Sequence, residues 1–184
     1  TVKLNKTTIS SLTNTAKGVT VKWSKVTGAS GYYIYRNGKQ VKKITSGSTV
    51  SYTDTGAKTN GTKYQYKIYA YYGSTKSAVS STKTIYYVSA PTISSLKNSA
   101  SKKMTVKWGK NTKSTGYQIQ YSTSSSFSSG NKTVTVSSYK TVSKTLSSLT
   151  KGKKYYVRVR AYKTVSGTKY YSAWSGTKNV KISK

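Results

Sequence analysis

The segment GVTVKWSKVTGASGYYIY at residues 18–35 returns as KMTVKWGKNTKSTGYQIQ at 103–120, which sets Trp23 over Trp108 and Gly31 over Gly116 at a constant offset of 85. A second match, GTKYQYKIYAY at 61–71 over GKKYYVRVRAY at 152–162, sets Tyr64 over Tyr155 at an offset of 91. The difference, 91 − 85 = 6 residues, is an insertion in the second copy, placed where SSSFSSGNK at 124–132 lengthens a loop. SAVS from Ser77 and SAWS from Ser172 match at 95, so the loop before the last strand is longer by 95 − 91 = 4 residues. Insertions that fall between the matched segments describe two copies of one scaffold with variable loops.

Within each copy the period is two. Val19, Val21 and Trp23 alternate with Thr20, Lys22 and Ser24; Tyr64, Tyr66, Ile68 and Ala70 alternate with Gln65, Lys67, Tyr69 and Tyr71. Such alternation belongs to antiparallel strands that bury one face. β-branched and aromatic runs recur between clusters of Ser, Thr, Gly and Asn, a rhythm that leaves no window for a helix. The strands predicted for copy one lie near 8–12, 18–25, 31–37, 39–45, 49–53, 63–72 and 77–87; those for copy two lie near 92–97, 103–109, 116–122, 132–136, 143–147, 154–163 and 170–181. Seven per copy predicts an all-β fold of two tandem seven-stranded sandwiches, spanning 1–88 and 89–184. Pro91 follows a short connection without a Gly-Ser tract, so the two are expected to stand end to end as a short rod.

Several of these residues also carry a family resemblance: a strand-B tryptophan (Trp23, Trp108), an aromatic-aliphatic strand C (Tyr32 and Ile34; Tyr117, Ile119 and Tyr121), and Leu149 six residues before Tyr155. The pattern resembles tandem fibronectin type III domains over nearly the whole chain. That resemblance implies an immunoglobulin-like sandwich in which Tyr155 bonds back to the chain just upstream as a tyrosine corner. In copy one, Ala57 stands seven residues before Tyr64, and the corner is expected to be looser there. The Lys- and Tyr-rich, acid-poor composition resembles repeats of Gram-positive bacterial surface and secreted proteins, which implies an extracellular or cell-surface setting.

Composition then excludes function classes. The chain of 184 residues has 33 Lys plus Arg, one acidic residue (Asp54), no His and no Cys. One carboxylate cannot form the pair that glycoside hydrolysis uses, and there is no imidazole or thiol to act as base or nucleophile. A metal site lacks ligands for the same reason. The expected protein is therefore not an enzyme and takes no cofactor or metal. Asp54, in SYTDTG, is expected to accept backbone N–H bonds at a turn. An intramolecular Lys–Asn isopeptide bond would need an acidic catalyst, for which only Asp54 is present. No apolar run reaches the 18 or so residues of a membrane helix. A cysteine-free chain beginning at Thr1 without a leader reads as a mature product or an excised fragment, compatible with secretion.

The charge is distributed over both copies: 14 bases and one acid before Ser89 give +13, and 19 bases thereafter give +19. Two readings compete. In one, the lysines are a solvated, soluble surface; in the other they draw the chain to a polyanion such as teichoic acid, an acidic or sulfated glycan, or nucleic acid without sequence preference. Specific nucleic-acid recognition is not expected, because no helix is available for a groove.

Alternation also nominates a ligand-binding face on strands C and F. In copy one it comprises Tyr33, Tyr35, Lys67, Tyr69 and Tyr71; in copy two, Tyr156, Arg158, Arg160 and Tyr162, with Gln118 and Gln120 beside them. Tyrosine offers contact area at low entropic cost, but it is also simply a good strand former. The sequence reading is a non-catalytic spacer and adhesion module, monomeric as an isolated fragment, that meets a polyanionic or glycan surface. Specific capture of a host protein such as an immunoglobulin, or an accessory role in a glycan-degrading enzyme, are the alternatives.

Overall fold

A computed structural model describes residues 3–183. The chain divides into two compact units, one up to Tyr87 and one from Val88. The first contains β1 (Ile9–Thr15), β2 (Gly18–Trp23), β3 (Gly31–Arg36), β4 (Lys39–Ile44), β5 (Ser51–Asp54), β6 (Lys63–Tyr72), β7 (Thr75–Lys76) and β8 (Lys83–Tyr86). The second contains β9 (Ile93–Ala100), β10 (Lys103–Trp108), β11 (Gly116–Ser122), β12 (Lys132–Val136), β13 (Ser143–Leu146), β14 (Lys154–Val165), β15 (Thr168–Tyr171) and β16 (Lys178–Lys181). In the first unit β1-β2-β5 form one sheet and β4-β3-β6-β7 the other, with β8 also paired to β6. The second repeats this as β13-β10-β9 and β12-β11-β14-β15, with β16 on β14. These are two tandem β-sandwiches.

The alternation selects the core as expected. In the first sandwich Val19, Val21 and Trp23 of β2 face Tyr32 and Ile34 of β3 and Tyr66, Ile68 and Ala70 of β6, all buried. In the second, Met104, Val106 and Trp108 meet Tyr117, Ile119, Val157, Val159 and Ala161. Trp23 meets Tyr32 edge to face at 5.3 Å, and Trp108 meets Tyr117 the same way at 5.3 Å.

A core rich in tyrosine must satisfy its hydroxyls, because an unpaired buried hydroxyl costs more than a hydrogen bond returns. The Val26 N–H donates to Tyr32 Oη at 3.0 Å, and that hydroxyl donates to the Gly47 carbonyl at 3.2 Å. Tyr117 repeats the arrangement with the Asn111 N–H at 2.8 Å and the Tyr139 carbonyl at 2.9 Å.

One expectation is corrected. Each seventh strand is interrupted rather than continuous over 77–87 or 170–181. After β7, Ser77 and Ser80 still donate their N–H groups to the carbonyls of Ala70 and Ile68, both at 2.9 Å. Their hydroxyls accept the return bonds from the Ala70 and Ile68 N–H groups at 3.0 and 2.9 Å. Ser172 and Ser175 do the same against Ala161 and Val159. Three residues of this segment therefore span two of the neighbouring strand, a spacing that a regular ladder cannot hold.

The first tyrosine corner, expected to be the looser, keeps its bond at the longer of the two distances. The Thr59 N–H donates to Tyr64 Oη at 3.2 Å, as the Thr150 N–H donates to Tyr155 Oη at 3.0 Å. The bond requires a backbone N–H five residues upstream, which any residue at the leucine position leaves in place, and Ala57 is fully buried there.

Candidate functional site

The single acid is consumed internally. Asp54 ends β5, is 3% exposed, and accepts from Arg36 Nη1 at 2.7 Å on both carboxylate oxygens. Tyr66 Oη donates to it at 2.9 Å and the Gly56 N–H at 3.1 Å, the latter being the turn bond the sequence predicts. Burial, and then the neighbouring carboxylate, push the Tyr66 phenol above its ordinary pKa. With its only carboxylate side chain buried and paired, this protein exposes side-chain charge of one sign.

On the outer face of the first domain, cross-strand register sets Tyr33 beside Tyr69 and Tyr35 beside Lys67. Tyr33, Tyr35 and Tyr69 are half-buried and Lys67 is exposed. Tyr35 and Tyr69 meet edge to face at 5.4 Å. Lysine ammoniums sit among these rings: Lys43 lies 5.2 Å from the Tyr71 centroid and 5.7 Å from that of Tyr33, and Lys76 lies 4.9 Å from Tyr33. Neither Lys43 nor Lys76 is among the residues that alternation nominates, because each reaches the rings from a neighbouring strand.

Tyr71 and Tyr162 do not stand free in their patches, contrary to expectation. Both occupy the outer face, yet they are 7% and 3% exposed. Each lies across a glycine: a Cβ on Gly31 would fall 2.8 Å from Tyr71 Oη, and one on Gly116 would fall 2.8 Å from Tyr162 Oη. The missing side chain leaves the bare backbone that the ring covers. Tyr71 is then closed over by Tyr33 at 4.6 Å and anchored by donating to the Ile44 carbonyl at 3.2 Å.

The second domain uses the same positions differently. Arg158 and Arg160, at the places of Lys67 and Tyr69, stand in a stack that runs Phe127, Arg158, Trp174, Arg160, Tyr171, with guanidinium-to-ring distances of 4.1, 4.7, 4.4 and 3.9 Å. Gln120 Oε1 accepts from Arg158 Nε at 2.9 Å and Nη2 at 2.5 Å, and Gln118 Oε1 accepts from Arg160 Nε at 2.9 Å and Nη2 at 2.7 Å. Burial lowers the pKa of both guanidiniums, though each stays charged. Tyr156 is half-buried beside Ser122 in register. Sequence reasoning finds the arginines and glutamines but not Phe127, Trp174 or Tyr171. Their one visible signal is Trp174 in SAWS where the first copy has Val79.

The first domain retains an opening at the corresponding end of its face. Tyr35, Asn37, Gly38, Gln65, Lys67 and Thr82 line an open cleft of about 200 Å³. Its rim is the Asn37–Gly38 turn, with φ of 49° and 82°, locked by the Gln65 N–H donating to Asn37 Oδ1 at 2.9 Å.

Residues 89–177 match the profile of the family described as "Fibronectin type III domain". The second domain is a fibronectin type III domain. The first shares its strand order, tyrosine corner and serine-bonded last strand. No curated protein matches the sequence. Among solved structures, the chain is similar to the chicken CNTN1 FN1–FN3 domains at 23% identity, covering 96% of this chain and 67% of that one with a TM-score of 0.47. It is also similar to a two-domain fibronectin type III segment of chicken tenascin at 18% identity, covering 98% and 99% with a TM-score of 0.43. Fibronectin type III domains in tandem are commonly spacer or binding modules and are generally non-catalytic. They occur mainly in extracellular or surface proteins. No helix of the described residues is long and apolar enough to cross a membrane.

Proposed function

We propose that this tandem is a non-catalytic spacer and adhesion module of an extracellular, surface or secreted bacterial protein, and that it adheres to a polyanionic or glycan surface. One observation carries the reading: the only acidic side chain is buried against Arg36, so 33 bases face no exposed carboxylate side chain. Such a surface draws polyanions by release of their counterions. In the second domain Arg158 and Arg160 are held by their own glutamines and rings, which leaves attraction of the polyanion to the lysines. Binding to an immobilised acidic polysaccharide, measured over a salt series, tests it. A steep linear fall of log affinity with log salt is expected. Absence of binding at low salt would leave a spacer without adhesion.

A further inference from the structure

We infer that the cleft beside Lys67 is a subsite for one uronate unit of an acidic polysaccharide. It rests on the polyanion reading and adds a shaped position to it. The comparison between the two domains isolates the feature. At the register position of Lys67, Arg158 is covered by Phe127 on one side and Trp174 on the other and held by Gln120. Phe127 comes from the long connection between β11 and β12; in the first domain that connection is the Asn37–Gly38 turn, and Val79 replaces Trp174. One scaffold therefore fills this position with its own side chains in the second domain and leaves it open in the first.

The lining matches a charged sugar ring. Tyr35 offers an apolar face for the C–H side of a pyranose, and its hydroxyl is steadied by Gln40 Oε1 at 3.4 Å. Nothing lies within 4 Å of where a Gly38 Cβ would stand, so a ring can approach the turn closely. Lys67 is exposed and, among the described residues, forms no hydrogen bond or ring contact, unlike Lys43 and Lys76 on the same face. Gln65 and Thr82 add neutral donors at the edge. A single ammonium with neutral donors suits a monoanion. A phosphate dianion would lack a second cation, and no guanidinium fork is present for bidentate phosphate capture. The cleft is smaller than the roughly 300 Å³ at which sites for drug-sized ligands begin, which fits one sugar unit of a chain that continues over the lysine surface.

The test uses the full chain with three probes: an oligogalacturonate, its methyl-esterified neutral form, and polyphosphate of equal charge. Wild type should bind the oligogalacturonate and not the ester. Lys67→Gln should weaken binding roughly tenfold, as loss of a charged hydrogen bond does. Tyr35→Ser should weaken it with a smaller change in salt dependence. Lys144→Gln, at an exposed position on β13, should change affinity by no more than about twofold. Unaltered melting temperatures establish that each variant is folded. Equal losses from Lys67→Gln and Lys144→Gln, or polyphosphate bound as tightly and equally sensitive to both, would overturn the subsite while the polyanion reading stands. No binding of any anionic probe at low salt would overturn both.

Discussion

Arg36 Nη1 stands 2.7 Å from both carboxylate oxygens of Asp54, joining β3 in one sheet of the first domain to the end of β5 in the other. The second domain has no acidic residue and closes its sandwich without such a bond. Asp54→Asn would leave the guanidinium partly buried and opposite a group that cannot neutralise it. Loss of one partner of a buried pair costs about 3–5 kcal/mol, and because the Arg36 side chain is 24% exposed the expected cost lies near the lower end, about 3 kcal/mol. Denaturant unfolding should show this loss in the first domain only.

The same cluster gives an alkaline limit. Burial first, and the Asp54 carboxylate second, raise the folded pKa of Tyr66 above its unfolded value. A raised folded pKa means that the unfolded chain releases the proton more readily. The Tyr66 contribution is therefore fully present below about pH 10, the ordinary phenol value, and is lost as the pH climbs from there toward the folded value. Tyr66→Phe should lower stability at neutral pH by about 1 kcal/mol for the lost hydrogen bond and flatten the fall above pH 10. Melting temperatures of both proteins between pH 7 and 11 check this; parallel curves would mean that Tyr66 does not carry the alkaline limit.

Trp174 lies between two guanidiniums, at 4.7 Å from Arg158 and 4.4 Å from Arg160. Trp174→Val installs the residue that the first domain has at this place. Each partly desolvated cation–π contact contributes about 1 kcal/mol, so the second domain should lose about 2 kcal/mol. The loss should appear as faster amide exchange at Val159 and Ala161, whose N–H groups donate to the Ser175 and Ser172 hydroxyls flanking the tryptophan. Unchanged exchange would show that the stack is a surface decoration without energetic weight.

Much of this was legible in the sequence because period-two alternation assigns a face to every strand residue. Val19, Val21 and Trp23 had to turn one way together, and Tyr33, Tyr35 and Tyr69 the other. What alternation cannot give is depth within the outer face. Tyr71 is buried because Gly31, on the adjacent strand, lacks a side chain, and nothing local to Tyr71 says so. The stack in the second domain was hidden for a related reason: Phe127, Arg158 and Trp174 come from three separate segments, and only the tertiary fold brings them together. Asp54 reads locally as a turn residue, correctly, while its main partner Arg36 reaches it from the opposite sheet. The interrupted last strand escaped because serine is read as a strand spacer, whereas Ser77 and Ser80 replace ladder carbonyls with their hydroxyls.

That difference in depth separates the face into two kinds of tyrosine, and substitution distinguishes them. Tyr69→Ser removes a half-buried ring from an outer strand face, which should cost about 1 kcal/mol, the span of strand propensities. Tyr71→Ser removes a ring that is 7% exposed, with its bond to the Ile44 carbonyl and its cover over Gly31, and should cost about 3 kcal/mol, as truncation of a packed aromatic does. Gly31→Ala cannot relieve the gap, because its Cβ would sit 1.9 Å from the Ile44 carbonyl oxygen. The double variant Gly31→Ala with Tyr71→Ser should therefore be no more stable than Tyr71→Ser alone. Equal costs for Tyr69→Ser and Tyr71→Ser in urea unfolding would mean that the ring of Tyr71 contributes no packing against Gly31, and that the glycine is held by the approach of the Ile44 carbonyl alone.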